Sequence, residues 1–174
     1  MLRPLVLASG SPRRRLFLES AGLHFEILPA SCPEPRPVPG EDPRHYAGRC
    51  AESKARSVLA SLAHRQDRPA VLSADTIVIL RDEKGASILG KPRDRDDAAD
   101  MLFRLCGRTH EVVTSCCLAM DDHTERFDDM TEVTFAPWPR SVLEAYADSG
   151  DPLDKAGSYG IQDGGAFLVS GIRG

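Results

Sequence analysis

The sequence predicts an α/β fold: a mixed β-sheet with flanking helices, formed by residues 1–174 as a single domain. Three observations predict it. Short apolar runs alternate with stretches of helical periodicity through the first half of the chain. Later strand-like runs come in adjacent pairs joined by tight polar turns, which gives antiparallel hairpins rather than an all-parallel sheet. A chain of 174 residues suits one domain with an ample core.

The elements follow in order. Leu5–Ala8 reads as a buried strand. Ser9-Gly10-Ser11-Pro12 turns into a helix that runs from Pro12 to about Ala21, with Ser11 as N-cap and Pro12 in the first turn. Gly22 is placed to end it. Phe25–Leu28 is a second short strand. The loop from Pro29 to Pro43 holds six prolines and leads to a long helix, in which Tyr46, Ala47, Cys50, Ala51, Ala55, Val58, Leu59 and Leu62 form one apolar face. Val71–Leu80 is a strand, Arg81–Gly85 a turn, and Ser87–Leu89 the returning partner. Asp94 or Asp96 caps a helix bearing Ala98, Met101, Leu102 and Leu105, which Gly107 ends. Glu111–Met120 and Glu125–Phe135 form a hairpin around Asp121-Asp122. Pro139–Asp148 is helical, and Ala166–Val169 is a last strand.

Composition removes several functions. With 22 basic against 26 acidic residues the formal charge is −4, the wrong sign for a duplex nucleic-acid binder. Aromatic content of 6% is too low for the stacking platforms of a single-strand binder. The first apolar run is too short for a signal-peptide core or a membrane span. Five cysteines without C-x-x-C spacing imply a reduced, cytoplasmic protein. The scattered histidines offer no zinc spacing.

Chemistry concentrates in a few places. Ser9, Gly10 and Ser11 lie where a strand gives way to a helix N-terminus, with Arg13 and Arg14 just beyond. This suits a phosphate cradle, and equally a capped surface helix with solvated arginines. Asp75-Thr76 sits inside an apolar strand. A carboxylate there must be paired or metal-bound, or act as a base, unless it is a strand-end acid bonded to backbone. A hairpin centred on Glu83 would pair Asp75 with Lys91; a one-residue slip would undo that. Lys54 lies at the edge of the long helix's apolar face, as a site lysine or one that snorkels. Glu34 is an acid in the proline-rich loop, functional or simply exposed. Gln162, in Tyr159-Gly160-Ile161-Gln162, suits reading a base edge or forming a polar turn. Together these groups suggest chemistry on a polyphosphate with a divalent cation.

The sequence resembles the Maf family of nucleoside triphosphate pyrophosphatases from Leu5 to its end. The matching stretches are Leu7-Ala8-Ser9-Gly10-Ser11-Pro12-Arg13-Arg14, Ser53-Lys54-Ala55, Ser73-Ala74-Asp75-Thr76, Gly90-Lys91-Pro92, Gly107-Arg108-Thr109-His110 and Asp154-Lys155-Ala156-Gly157-Ser158-Tyr159-Gly160-Ile161-Gln162. The resemblance implies an elongated mixed sheet, two lobes around a central cleft as in inosine triphosphate pyrophosphatases, and often a homodimer. It implies hydrolysis of the α–β bond of a nucleoside triphosphate substrate, with Mg²⁺ or Mn²⁺ as cofactor and neither nucleic acid nor membrane as partner. Asp75 becomes the proton acceptor, sharing the metal with Glu34. Lys54, Lys91 and Glu34 become charged cleft residues, and Ser9 with Arg14 part of the phosphate cradle. Arg13, Thr76 and Gln162 match the trio of the branch that prefers dTTP and UTP. The family is also linked to septum formation, so a nucleotide-binding regulator with little turnover is the alternative. Two positions depart from the pattern: Pro33-Glu34 replaces an acidic pair, and Asp163 replaces a glycine. The family also continues past Gly174 with a strand and a helix.

Overall fold

The computed structural model describes residues 3–83 and 85–174. Seven strands form one sheet: β1 (Leu5–Leu7), β2 (Phe25–Ile27), β3 (Ala70–Asp82), β4 (Gly85–Leu89), β5 (Thr109–Met120), β6 (His123–Phe135) and β7 (Val169–Arg173). The order is β2-β1-β3-β5-β6-β7, with β4 paired to β3. Helices α1 (Pro12–Ser20), α2 (Pro43–Ser61), α3 (Arg95–Leu105) and α4 (Arg140–Asp148) complete the main elements. β1 pairs in parallel with both β2 and β3, whereas β3–β4 and β6–β7 are antiparallel. The sheet is therefore mixed, as the hairpin pattern predicts.

The chain divides into two compact units. The first takes Met1–Asp75 and Thr114–Asp128, the second Thr76–Val113 and Asp129–Gly174. In the first, Val6, Val71, Cys117 and Ala119 from the strands, with Ala8 just past β1, pack on Ala51, Ala55 and Val58 of α2. The helix residues at this contact are small, so the backbone of α2 comes close to the sheet. Asp42 caps α2 by accepting the Arg44 amide at 2.8 Å, with Pro43 in the first turn. α1 buries no residue in this structure.

In the second unit, Leu102, Leu105, Phe135, Leu143 and Leu168 form the centre of the core. Asp94, rather than Asp96, caps α3 by accepting the Asp97 amide at 2.8 Å. The expected last strand is displaced. Gly164–Leu168 is a short 3-10 turn, and the strand begins only at Val169. Buried Leu168 closes the core from this turn, a role that an apolar run cannot distinguish from a strand.

The β3–β4 hairpin corrects a second expectation. Asp82 pairs with Gly85 and Val78 with Leu89, so the register is one residue away from pairing Asp75 with Lys91. Gly85, at φ +115, re-enters the ladder at once after a tighter turn than Arg81–Gly85. Lys84, within that turn, lies outside the described residues. The ladder ends at Leu89, and Gly90 instead accepts the Gly157 amide at 3.0 Å.

His110 is buried in this second core. Its Nε2 meets Tyr159 Oη at 2.7 Å, and its ring packs edge-on to Phe135. Among the described residues its Nδ1 has no partner. Burial pushes its pKa down to about 4, because the charged ring would lose the solvation it has in water. The unfolded chain binds this proton near pH 6.5, so the stabilisation is complete above that pH. It is lost as the pH falls towards 4. Between pH 7 and pH 5 the wild type should lose about 2 kcal/mol more than His110→Gln. Equal losses in denaturant titrations at the two pH values would show that His110 is not the group responsible.

Candidate active site

The candidate site is assembled on the first unit from four segments. The centre is Asp75 at the unit's last β3 position, with a side chain 12% exposed. Lys54, on α2, places Nζ 2.5 Å from Asp75 Oδ1 and 2.8 Å from Glu34 Oε1. One ammonium thus joins a buried carboxylate to an exposed loop carboxylate. The desolvated acid has the cation it requires, but that cation is Lys54 and not Lys91. Burial opposes the charge on Lys54. Asp75 and Glu34 outweigh that burial and hold the Lys54 pKa above its ordinary value. Lys54 is therefore held between two carboxylates rather than snorkelling into solvent.

A second cation, Arg14, interacts electrostatically with Asp75. Arg14, on α1, donates from Nη1 to the Ala74 carbonyl at 2.7 Å and to Ser9 Oγ at 3.1 Å. Burial lowers its pKa while the charge of Asp75 opposes that shift. Ser9 is itself buried, and its Oγ also accepts the Ser11 amide at 3.2 Å. The predicted cap is thereby corrected: Ser11 occupies the N-cap position, but its hydroxyl makes no capping bond. Ser9 receives an amide and a guanidinium, which fixes the strand-to-helix turn from within. Arg13 follows in the same first turn and is half-buried.

Thr76, Lys91 and Gln162 belong to the second unit. Thr76 is the half-buried residue after Asp75 on β3, and Lys91 is exposed just past the end of β4. Gln162 is exposed in a turn. The segment leading to it is firmly held: Gly157 donates to Gly90, and Tyr159 meets His110. Buried Lys155 donates to Asp151 O at 2.6 Å and Asp154 Oδ1 at 2.8 Å. The carboxylate of Asp163, which replaces the family's glycine, lies 3.7 Å from the same ammonium. Its charge therefore has a partner inside its own loop.

Sequence reasoning missed two features. One is the bond from buried Ser73 Oγ to the Ala51 carbonyl at 2.6 Å. Its signal was the alternation of β3, which puts residues 73 and 75 on one face. The other is the His110–Tyr159 contact, for which local sequence carries no signal. The described residues contain no cluster of three His, Cys, Asp or Glu groups suited to a metal. All five cysteines are free. No helix among the described residues is long and apolar enough to cross a membrane.

The chain is similar to known proteins in sequence and in fold. The family described as "Maf-like protein" matches residues 4–174. A dTTP/UTP pyrophosphatase of Nitratidesulfovibrio vulgaris is 48% identical over 172 residues, covering 98% of this chain and 78% of the relative. One of Myxococcus xanthus is 46% identical over 170 residues, covering 98% and 82%. In fold, the chain is similar to a HAM1 protein from Coxiella burnetii, with a TM-score of 0.56 at 15% identity over 79% of this chain and 75% of that one. The Ham1 protein of Staphylococcus aureus gives 0.52 at 14% identity, covering 78% and 73%.

Proposed function

This chain belongs to the Maf family, and on that premise we propose that it is a hydrolase that splits dTTP and UTP into the monophosphate and pyrophosphate. The observation that carries the reading is the buried Asp75 carboxylate clasped by Lys54, with Glu34 on the far side of the same ammonium. A nucleotide-binding regulator without turnover has no need of a desolvated acid held beside a fixed ammonium. A hydrolase needs such a group to take a proton from water.

In the proposed reaction, Asp75 accepts a proton from a water molecule. The water oxygen forms a bond to the α-phosphorus, and the bond from that phosphorus to the α–β bridging oxygen breaks. Pyrophosphate leaves with the bridging oxygen. Lys54 keeps the Asp75 carboxylate oriented and adds positive charge where negative charge gathers on the phosphates. Ser9, with the backbone after it, contributes to the phosphate cradle. Arg14 holds Ser9 and the Ala74 carbonyl in place, and Lys91 is a further proposed charged residue. Arg13, Thr76 and Gln162 are the proposed determinants of base choice.

Asp75 and Glu34 are the carboxylates that would hold a Mg²⁺ or Mn²⁺ ion. Magnesium is typically held by one or two carboxylates together with waters and substrate phosphates, rather than by a full protein cage. When bound, such an ion neutralises phosphate charge. Pro33 supplies no second acid beside Glu34, so the protein would contribute two carboxylates, one from the loop and one from β3. Free thiols and a nucleotide substrate fit a cytoplasmic setting.

A panel of nucleoside triphosphates, assayed for pyrophosphate release with Mg²⁺ or Mn²⁺, tests the reading. Release from dTTP and UTP should exceed release from purine nucleotides and stop with a chelator. Binding of these nucleotides without any pyrophosphate would instead identify the regulator.

A further inference from the structure

The two carboxylates that meet on Lys54 are anchored in parallel ways. Two residues before Asp75, Ser73 is fully buried and donates Oγ to the Ala51 carbonyl at 2.6 Å. Two residues before Glu34, the Cys32 thiol lies 3.7 Å from the Ser53 carbonyl and 3.9 Å from Ser53 Oγ. Both anchors grip α2 on the turn that carries Lys54. In an α-helix the Ala51 carbonyl already takes the amide four residues on, so the Ser73 hydroxyl is a second bond to it and is not needed to satisfy the helix.

The spacing makes this a ruler. From residue 73 to 75, β3 advances by about 6.6 Å, and from residue 51 to 54 the helix rises about 4.5 Å. Two contacts, Ser73 to Ala51 and Asp75 to Lys54, therefore grip one helical turn against one face of the strand. Fully buried Ala47, Ala51 and Ala55 let the helix backbone come near enough for a serine to reach it. A larger residue at 51 would hold α2 away from the strand and release Lys54 from Asp75.

We propose that Ser73 is a positioning residue for the proposed hydrolysis: its bond to the Ala51 carbonyl sets the separation of Lys54 Nζ from Asp75, and Cys32 plays the matching part for Glu34. The inference rests on the pyrophosphatase reading for its kinetic consequence but not for its geometry. Ser73 touches no reactant. Its effect on turnover passes through Lys54.

Two measurements on the full chain test it. In the first, surface amines are reductively methylated and followed residue by residue by mass spectrometry. In Ser73→Ala, Lys54 should react severalfold faster relative to exposed Lys91, while buried Lys155 stays at its wild-type rate. An unchanged Lys54 rate, or a Lys155 rate that rises with it, overturns the inference, since the second pattern is general loosening. The other measurement is a double-mutant cycle on pyrophosphate release. Ser73→Ala should lower kcat about tenfold with KM nearly unchanged. In a Lys54→Met background the same substitution should change kcat less than about twofold. A full tenfold loss in both backgrounds also overturns it. Should the wild type release no pyrophosphate, the functional reading fails, and the labelling pattern alone decides the role of Ser73.

Discussion

Asp75→Asn should lower the rate of pyrophosphate release from dTTP and UTP by about 10²–10⁴-fold, the usual contribution of a positioned general base. The substitution keeps the shape of the side chain and removes only its charge and its ability to take a proton. Lys54 would keep Glu34 as a counter-ion and could still donate to the amide oxygen, so the ammonium is not stranded. The folded state should survive, and nucleotide binding should weaken far less than turnover. A variant that turned over at the wild-type rate would remove Asp75 from the chemistry. One that failed to fold would need Lys54→Met added, which deletes the buried charge together with its partner.

Gly157→Ala should cost about 2–4 kcal/mol of folding stability, as the sum of two effects. Gly157 has φ +68, in the left-handed region that side chains avoid. An added Cβ would also stand 2.7 Å from Val78 Cγ2 and 2.9 Å from Val78 Cβ. Val78 is β-branched and buried, so it has little freedom to turn aside. Gly22→Ala separates the two effects. That glycine has φ +71 but nothing within 4 Å of the added atom, so its loss should be about 1 kcal/mol. Equal losses from the two substitutions, in denaturant titrations, would mean that Val78 gives way. The Gly157 amide also donates to Gly90, next to Lys91, so the same change should reduce turnover.

Much of the local structure was legible because it depends on near neighbours. Pro12, Pro43 and the Asp42 cap mark helix starts by constraints that act within one turn, and both helices begin there. The hairpin through Asp121 is equally local, with Asp121 at φ +51 in the turn. Failures fell where a contact from elsewhere in the chain decides. Ser11 has every attribute of an N-cap, yet Ser9 takes the Ser11 amide while Arg14 holds Ser9 in place. The run Ala166–Val169 is apolar enough for a strand, but Leu168 is drawn into a core built by Phe135, Leu143 and Leu102.

The sequence by itself determined that Asp75 lies inside an apolar strand, and that Ser9, Lys54, Lys91 and Gln162 stand in the order of the Maf family's motifs. It could not determine which lysine meets the acid. That choice turned on a hairpin register one residue from the symmetric one, and on how closely an alanine-lined helix lies on β3. Both are set by packing between segments distant in the chain. Local periodicity reports which face of an element is buried but not the distance to what covers it. Only the tertiary structure brought Lys54, rather than Lys91, to within 2.5 Å of Asp75.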